Sequence, residues 1–192
     1  VTAGEERGVD DILLEADDRM QKAVVHARSE FGTVRTGRAS PALVERLPVH
    51  AYGQDMPLVQ LAGFQVPEAR QLLITPYDRA NVGPIEKAIL NSDLGLNPSN
   101  DGISIRLVFP QLTTERRKEL VKRVKQMAED GKIAIRGVRQ RTRKELDALE
   151  KAGSMSADEV TRAEKELDKL THAAEAEVEK SFTEKEQELL EV

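Results

Sequence analysis

The sequence predicts an α+β protein: an elongated antiparallel three-helix bundle into which a small β/α/β domain is inserted. Three observations lead there. Three long segments repeat apolar residues at alternating spacings of three and four, the period of a helix with one buried face. All eight prolines fall between positions 41 and 110, so the middle of the chain is organised differently from its ends. Aromatic residues make up only 3% of the 192, which leaves Ala, Leu and Val to build the core, as in charge-laced helical bundles.

The first helix is predicted over residues 10–34, with Leu13, Ala16, Met20, Val24, Ala27, Phe31 and Val34 on its apolar face. In the middle, β-like runs occur at 44–52, 58–65, 71–75 and 103–109. One helix fits between them at 84–92, opened by Pro84 and closed by Gly95, and 97–102 has turn composition. The second long helix starts at Thr113, a capping residue soon after Pro110, and runs to about Ala152. Its apolar seam is Val121, Val124, Ala128, Gly131, Ile135, Val138, Thr142, Leu146 and Leu149. Gly153 ends it, so a short loop folds the third helix back antiparallel. That helix begins with a capping box, Ser156 and Glu159, flanked by Met155 and Val160 as a hydrophobic staple. Its seam is Ala163, Leu167, Leu170, Ala174, Val178, Phe182 and Leu189.

The expected domains are therefore a bundle from 1–34 and 110–192 and an insert at 35–109. The chain crosses between them twice, near 34–38 and 108–111. Arg35, Thr36, Gly37, Arg38, Phe109 and Pro110 are the expected hinge residues.

A net charge of −5 conceals a strong asymmetry. Residues 111–151 hold 13 Lys and Arg against 7 Asp and Glu, net +6, whereas 152–192 are net −7 and 1–34 net −4. Within the basic segment, Lys118, Lys122, Lys125, Glu129, Lys132, Arg136, Arg139 and Arg143 recur at alternating fours and threes. At 3.6 residues per turn they share one helix face, about 37 Å long and cationic at seven of eight positions. A ridge of that length suits a phosphate backbone better than a small substrate. Arg predominates in its C-terminal half, where bidentate phosphate contact is possible. With no aromatic residues interleaved, it suits folded RNA read by shape and charge, not stacked single-stranded bases. The acidic residues of the third helix (Glu164, Glu166, Asp168, Glu175, Glu177, Glu179) are expected to form a separate solvated face. In that picture the two acidic helices stay away from RNA.

Catalytic chemistry has no foothold in the sequence. His26, His50 and His172 lie in three different segments, and no phosphate-binding glycine loop, nucleophile elbow or zinc-binding helix motif occurs. No cofactor or metal is expected. The absence of Cys removes disulfides and thiol chemistry. No run of about 18 apolar residues is present, so a cytoplasmic protein without a membrane partner is expected. A monomer is expected as well.

Five segments in register carry a resemblance over nearly the whole chain: RTGRASP at 35–41, SDLGLNPSNDG at 92–102, IRL and FP within 105–110, ERRKEL at 115–120 and AIRGVR at 134–139. Together they resemble the bacterial ribosome-recycling factor family. The resemblance implies an L-shaped protein with transfer-RNA-like dimensions. It further implies binding to the large subunit of the post-termination ribosome and, with elongation factor G and GTP, promotion of its dissociation into subunits. It also implies that Arg136 and Arg139 contact ribosomal RNA, that the inserted domain faces the elongation factor, and that the factor itself hydrolyses nothing. Two positions depart from the family pattern: Gly137, often polar there, and Gln140, where another Arg is common. Arg141 and Arg143 are expected to offset the second. A general RNA-binding module and a purely structural bundle are the competing classes.

Overall fold

The computed structural model describes residues 8–191. Its elements are α1 (Val9–Gly32), β1 (Pro48–Ala51), β2 (Gln54–Pro57), β3 (Ala62–Glu68), β4 (Gln71–Pro76), α2 (Val82–Leu90), β5 (Pro98–Asn100), β6 (Ile105–Val108), α3 (Thr114–Lys151) and α4 (Ala157–Leu190). The chain divides into two compact units. Of the described residues, one comprises 8–34 with Lys118–Gln187, the other Arg35–Arg117 with 188–191. The first boundary lies between Val34 and Arg35. The second lies eight residues later than expected, because the segment after β6 stays with the smaller unit: Gly37 approaches Leu112 so closely that a Cβ there would sit 3.3 Å from its Cγ.

The larger unit is held by three apolar stripes. Ile12, Ala16, Met20, Val24, Ala27 and Phe31 are buried on α1, Leu120, Val124, Ala128, Gly131, Ile135, Val138, Thr142 and Leu146 on α3, and Val160, Ala163, Leu167, Thr171, Ala174 and Val178 on α4. Three seam positions shift by one residue: Ile12 is buried instead of Leu13, Leu120 instead of Val121, and Thr171 instead of Leu170. Each alternative satisfies a helical period, so spacing alone does not separate them. Thr171 tolerates burial because its hydroxyl donates to the Leu167 carbonyl at 2.7 Å, and Thr142 does the same to Val138 at 3.0 Å.

Helix ends follow their local chemistry. The Arg116 N–H donates to Thr113 Oγ1 at 3.1 Å, which caps α3. Beyond α3, Gly153 adopts φ +75, the Ser154 N–H reaches the Leu149 carbonyl at 3.0 Å, and the Gly153 N–H reaches Glu150 at 2.9 Å. This pairing satisfies otherwise orphaned carbonyls, and it requires the left-handed backbone that glycine adopts without steric cost. The capping box forms reciprocally: the Ser156 N–H donates to Glu159 Oε2 at 2.8 Å, and the Glu159 N–H to Ser156 Oγ at 3.3 Å. The Ser156 N–H, and after it the Ser156 hydroxyl, which donates to the same oxygen at 2.7 Å, hold the Glu159 carboxyl below the usual range. Met155 and Val160 join Ile12, Leu146 and Ala163 in one buried cluster. At mid-bundle Gly131 packs tightly between α1 and α4: an added Cβ would lie 3.0 Å from Ala27 Cβ and 3.6 Å from Val178 Cγ1.

The smaller unit contains a four-stranded antiparallel sheet in the order β3-β4-β6-β5 and a separate β1-β2 hairpin. Leu72, Ile74, Ile105 and Leu107 from the sheet form one core with Ile85 and Ile89 of α2. Two strands were not expected. β2 and β5 are short and polar, with Pro57 and Pro98 at their ends, as edge strands tolerate. At the tip of the β1-β2 hairpin, Tyr52 (φ 53) and Gly53 (φ 76) make the turn. The Tyr52 hydroxyl donates to Asp78 Oδ2 and accepts from Asn81 Nδ2, both at 3.0 Å.

Candidate nucleic-acid interface

The basic residues of α3 sit one position past its buried seam: Lys132 follows Gly131, Arg136 follows Ile135, and Arg139 follows Val138. They therefore run along one flank of the helix, about 100° from the core. The acidic residues Glu164, Asp168, Glu175 and Glu179 stand in the same relation to Ala163, Leu167, Ala174 and Val178 of α4. When two helices pack antiparallel, equivalent flanks face each other, and these two meet.

The result corrects the expected charge separation. Lys132 Nζ lies 2.5 Å from Glu179 Oε2 and 3.5 Å from Glu129 Oε1. Arg136 Nε lies 2.6 Å from Glu175 Oε1, Arg139 Nη2 2.8 Å from Asp168 Oδ1, and Arg143 Nε 2.9 Å from Glu164 Oε1. The α4 carboxylates are thus not a remote solvated face; four of them form a ladder against the C-terminal half of the stripe. Glu177 turns the other way, accepting from Gln21 at 3.2 Å and pairing with Arg28 at 3.0 Å across to α1. Only Glu166 of the six is paired within α4, with Lys169 at 2.7 Å.

The ladder is not buried. Arg136 and Arg143 keep 55% and 50% of their side-chain exposure, Arg139 keeps 37%, and Lys132 only 17%. Partly exposed pairs of this kind contribute about 0.2–1 kcal/mol each, so another anion can exchange for the carboxylates. Lys132 is the best held: its hydrogen bond to Glu179 raises its pKa above the ordinary lysine value, against the opposing effect of partial burial. Arg139 has a further feature. Its Nε is buried with no hydrogen-bond partner, so only part of the guanidinium fork is used.

The N-terminal half of the stripe differs. Lys118, Lys122 and Lys125 are exposed and have no ion-pair partner among the described residues. Arg141 projects from the opposite flank of α3, where it borders an open groove of about 490 Å³ with Arg19, Lys22, Ala23, Ala134 and Gly137. It therefore does not stand in for a cation at position 140 on the stripe. Gly137 has nothing within 4 Å of where a Cβ would be.

Of the expected hinge residues, Arg35, Arg38 and Pro110 are at least partly exposed, Thr36 is buried and Gly37 has φ +76. Phe109 belongs to the smaller unit's core, and its N–H donates to the Arg70 carbonyl at 2.8 Å, extending the β4-β6 pairing by one residue. The chain leaves that core only at Pro110. Among the described residues no group of three or more His, Asp or Glu is placed to hold a metal, and no helix is long and apolar enough to cross a membrane.

Fold and surface define a two-unit α+β protein whose most elaborated surface is a pattern of charge along one long helix. The family model described as Ribosome recycling factor matches residues 27–190. Relatives carrying that name include those of Saccharopolyspora erythraea, 51% identical, and Renibacterium salmoninarum, 52% identical, each aligned over 96% of this chain and 100% of the relative. A solution structure of a ribosome recycling factor superposes with a TM-score of 0.72 at 38% identity, covering 97% of this chain and all of that one. The T. thermophilus factor, described together with E. coli elongation factor G bound to the E. coli post-termination complex, superposes with a TM-score of 0.63 at 41% identity, covering 96% of this chain and all of that one. The chain belongs to the ribosome recycling factor family.

Proposed function

We propose that this protein recycles ribosomes after translation termination. It binds the post-termination ribosome and, with elongation factor G and GTP, promotes dissociation into subunits. The observation that carries the reading is the match over the full length of its relatives, which includes both compact units and not merely a basic helix. In this reading the protein is a cytoplasmic monomer that needs no cofactor and catalyses no reaction, since the GTPase is its partner.

Binding begins with α3. Lys118, Lys122 and Lys125 present uncompensated positive charge to ribosomal RNA of the large subunit, which steers the encounter at long range. Lys132, Arg136, Arg139 and Arg143 then exchange their α4 carboxylates for phosphates. Arginine's planar donor set gains the most from that exchange, because two parallel bonds replace one. The smaller unit meets the elongation factor. Its two connections to the bundle, around 34–38 and around 117–118, act as the hinge through which the GTPase drives one unit against the other.

Subunit splitting followed by light scattering, with and without elongation factor G and GTP, tests this. Splitting is expected only with all components present. RNA binding with no effect of the GTPase would point to a general RNA-binding module, and neither activity to a structural bundle. Because the chain has no Cys, an engineered pair, one in each unit, supplies the only thiols. Disulfide locking is expected to preserve ribosome binding and abolish splitting.

A further inference from the structure

We propose that Glu164, Asp168, Glu175 and Glu179 of α4 are specificity determinants: a built-in competitor that restricts the basic stripe to RNA presenting several phosphates in register. The inference rests on the reading of α3 as the RNA-binding face and concerns how that face is regulated.

Four ion pairs carry it, at 2.5, 2.6, 2.8 and 2.9 Å, each joining a stripe cation to an α4 carboxylate. The carboxylates are themselves partly exposed, from 24% for Glu175 to 51% for Glu179, so they have room to rotate away. The paired cations span positions 132–143, about 17 Å of helix. A lone phosphate that displaces one carboxylate replaces one ion pair with another and leaves a displaced negative charge beside it. Its gain is close to nil. A rigid array of phosphates that reaches several cations together makes each later exchange intramolecular, at high effective concentration. The ladder therefore penalises isolated or flexible anions more than a preorganised phosphate surface.

The rest of the stripe supplies the contrast. Lys118, Lys122 and Lys125 carry no such competitor and attract any polyanion. Encounter and commitment are thereby assigned to different halves of one helix.

The test compares the full-length protein with the variant Glu164→Gln, Asp168→Asn, Glu175→Gln, Glu179→Gln. A charge-matched control carries Asp10→Asn, Asp18→Asn, Glu166→Gln and Glu184→Gln, none of which pairs with the stripe. Affinities are measured for a short, unstructured single-stranded RNA and for vacant ribosomes. Removal of the competitor is expected to raise single-strand affinity about tenfold at low salt and ribosome affinity less, with little change in the control. Equal gains in both variants would reduce the effect to net charge and overturn the proposal. A fall in affinity would overturn it too, by showing that the carboxylates position the cations. No gain overturns it as well, and Arg136→Glu with Arg139→Glu then shows which idea failed. If that pair abolishes ribosome binding, the RNA face stands without the competitor; if it has no effect, the RNA face itself is wrong. Should the quadruple variant unfold, the four single variants carry the same test, with about twofold gains each.

Discussion

The two halves of the basic face on α3 carry charge of the same sign in different surroundings. Lys118, Lys122 and Lys125 are exposed and unpaired among the described residues, whereas Lys132, Arg136, Arg139 and Arg143 are each held by a carboxylate of α4. Counting cations along one helix gives a uniform ridge. Adding the helix beside it gives a ridge with an open end and a latched end. The lesson is that a helix face belongs to two elements, so its charge is decided by its neighbour as much as by its own residues.

The largest test of this difference is charge reversal in each half. Arg136→Glu with Arg139→Glu is expected to weaken ribosome binding on the order of a hundredfold, because two charge-assisted bonds to phosphate are removed and two α4 carboxylates are left uncompensated. Lys122→Glu with Lys125→Glu is expected to weaken it less but to slow association more. Co-sedimentation and stopped-flow binding across a salt series check both. For each phosphate that the variant no longer neutralises, the log–log salt slope falls by roughly 0.7–0.9.

Two glycines sharpen the comparison from inside the latched segment. Gly131→Val forces side-chain atoms into Ala27 and Val178 and is expected to cost about 3 kcal/mol. Gly137→Ala enters open space and is expected to stabilise the protein by about 1 kcal/mol, through helix propensity alone. Chemical denaturation of the two variants gives opposite signs if the helix register is right. The smallest effect concerns pH. The folded-state pKa of Glu159 is lowered, first by the Ser156 backbone N–H and then by its hydroxyl, so the capping box stabilises fully above the unfolded pKa and is lost as pH falls through the folded one. Ser156→Ala is expected to cost about 1 kcal/mol at neutral pH and less in acid, measurable as a smaller difference in Tm.

Much of this architecture was legible because its determinants are local. Thr113, Gly153 and the Ser156–Glu159 pair act within a few residues of where they stand, and each does in the structure what its sequence position indicates. One-residue slips at Leu13, Val121 and Leu170 occurred where two neighbouring positions satisfy the same period. β2 and β5 were illegible for the opposite reason: polar segments become strands only through partners, β1 for one and β6 for the other. The ion-pair ladder lies between these cases. Its signal was present, since basic residues one past the seam of one helix and acidic residues one past the seam of its antiparallel neighbour must face each other. Reading each helix by itself hid it.

The hairpin formed by β1 and β2 depends on residues well beyond its own turn. Tyr52 occupies a left-handed backbone conformation, and the groups that hold its hydroxyl, Asp78 and Asn81, arrive 26 and 29 positions later in the chain. A segment ending at Pro57 therefore lacks part of what fixes its own bend. On a chain emerging from synthesis, that corner is completed only once Asn81, just ahead of α2, has been made, well after its own turn but before β5 and β6.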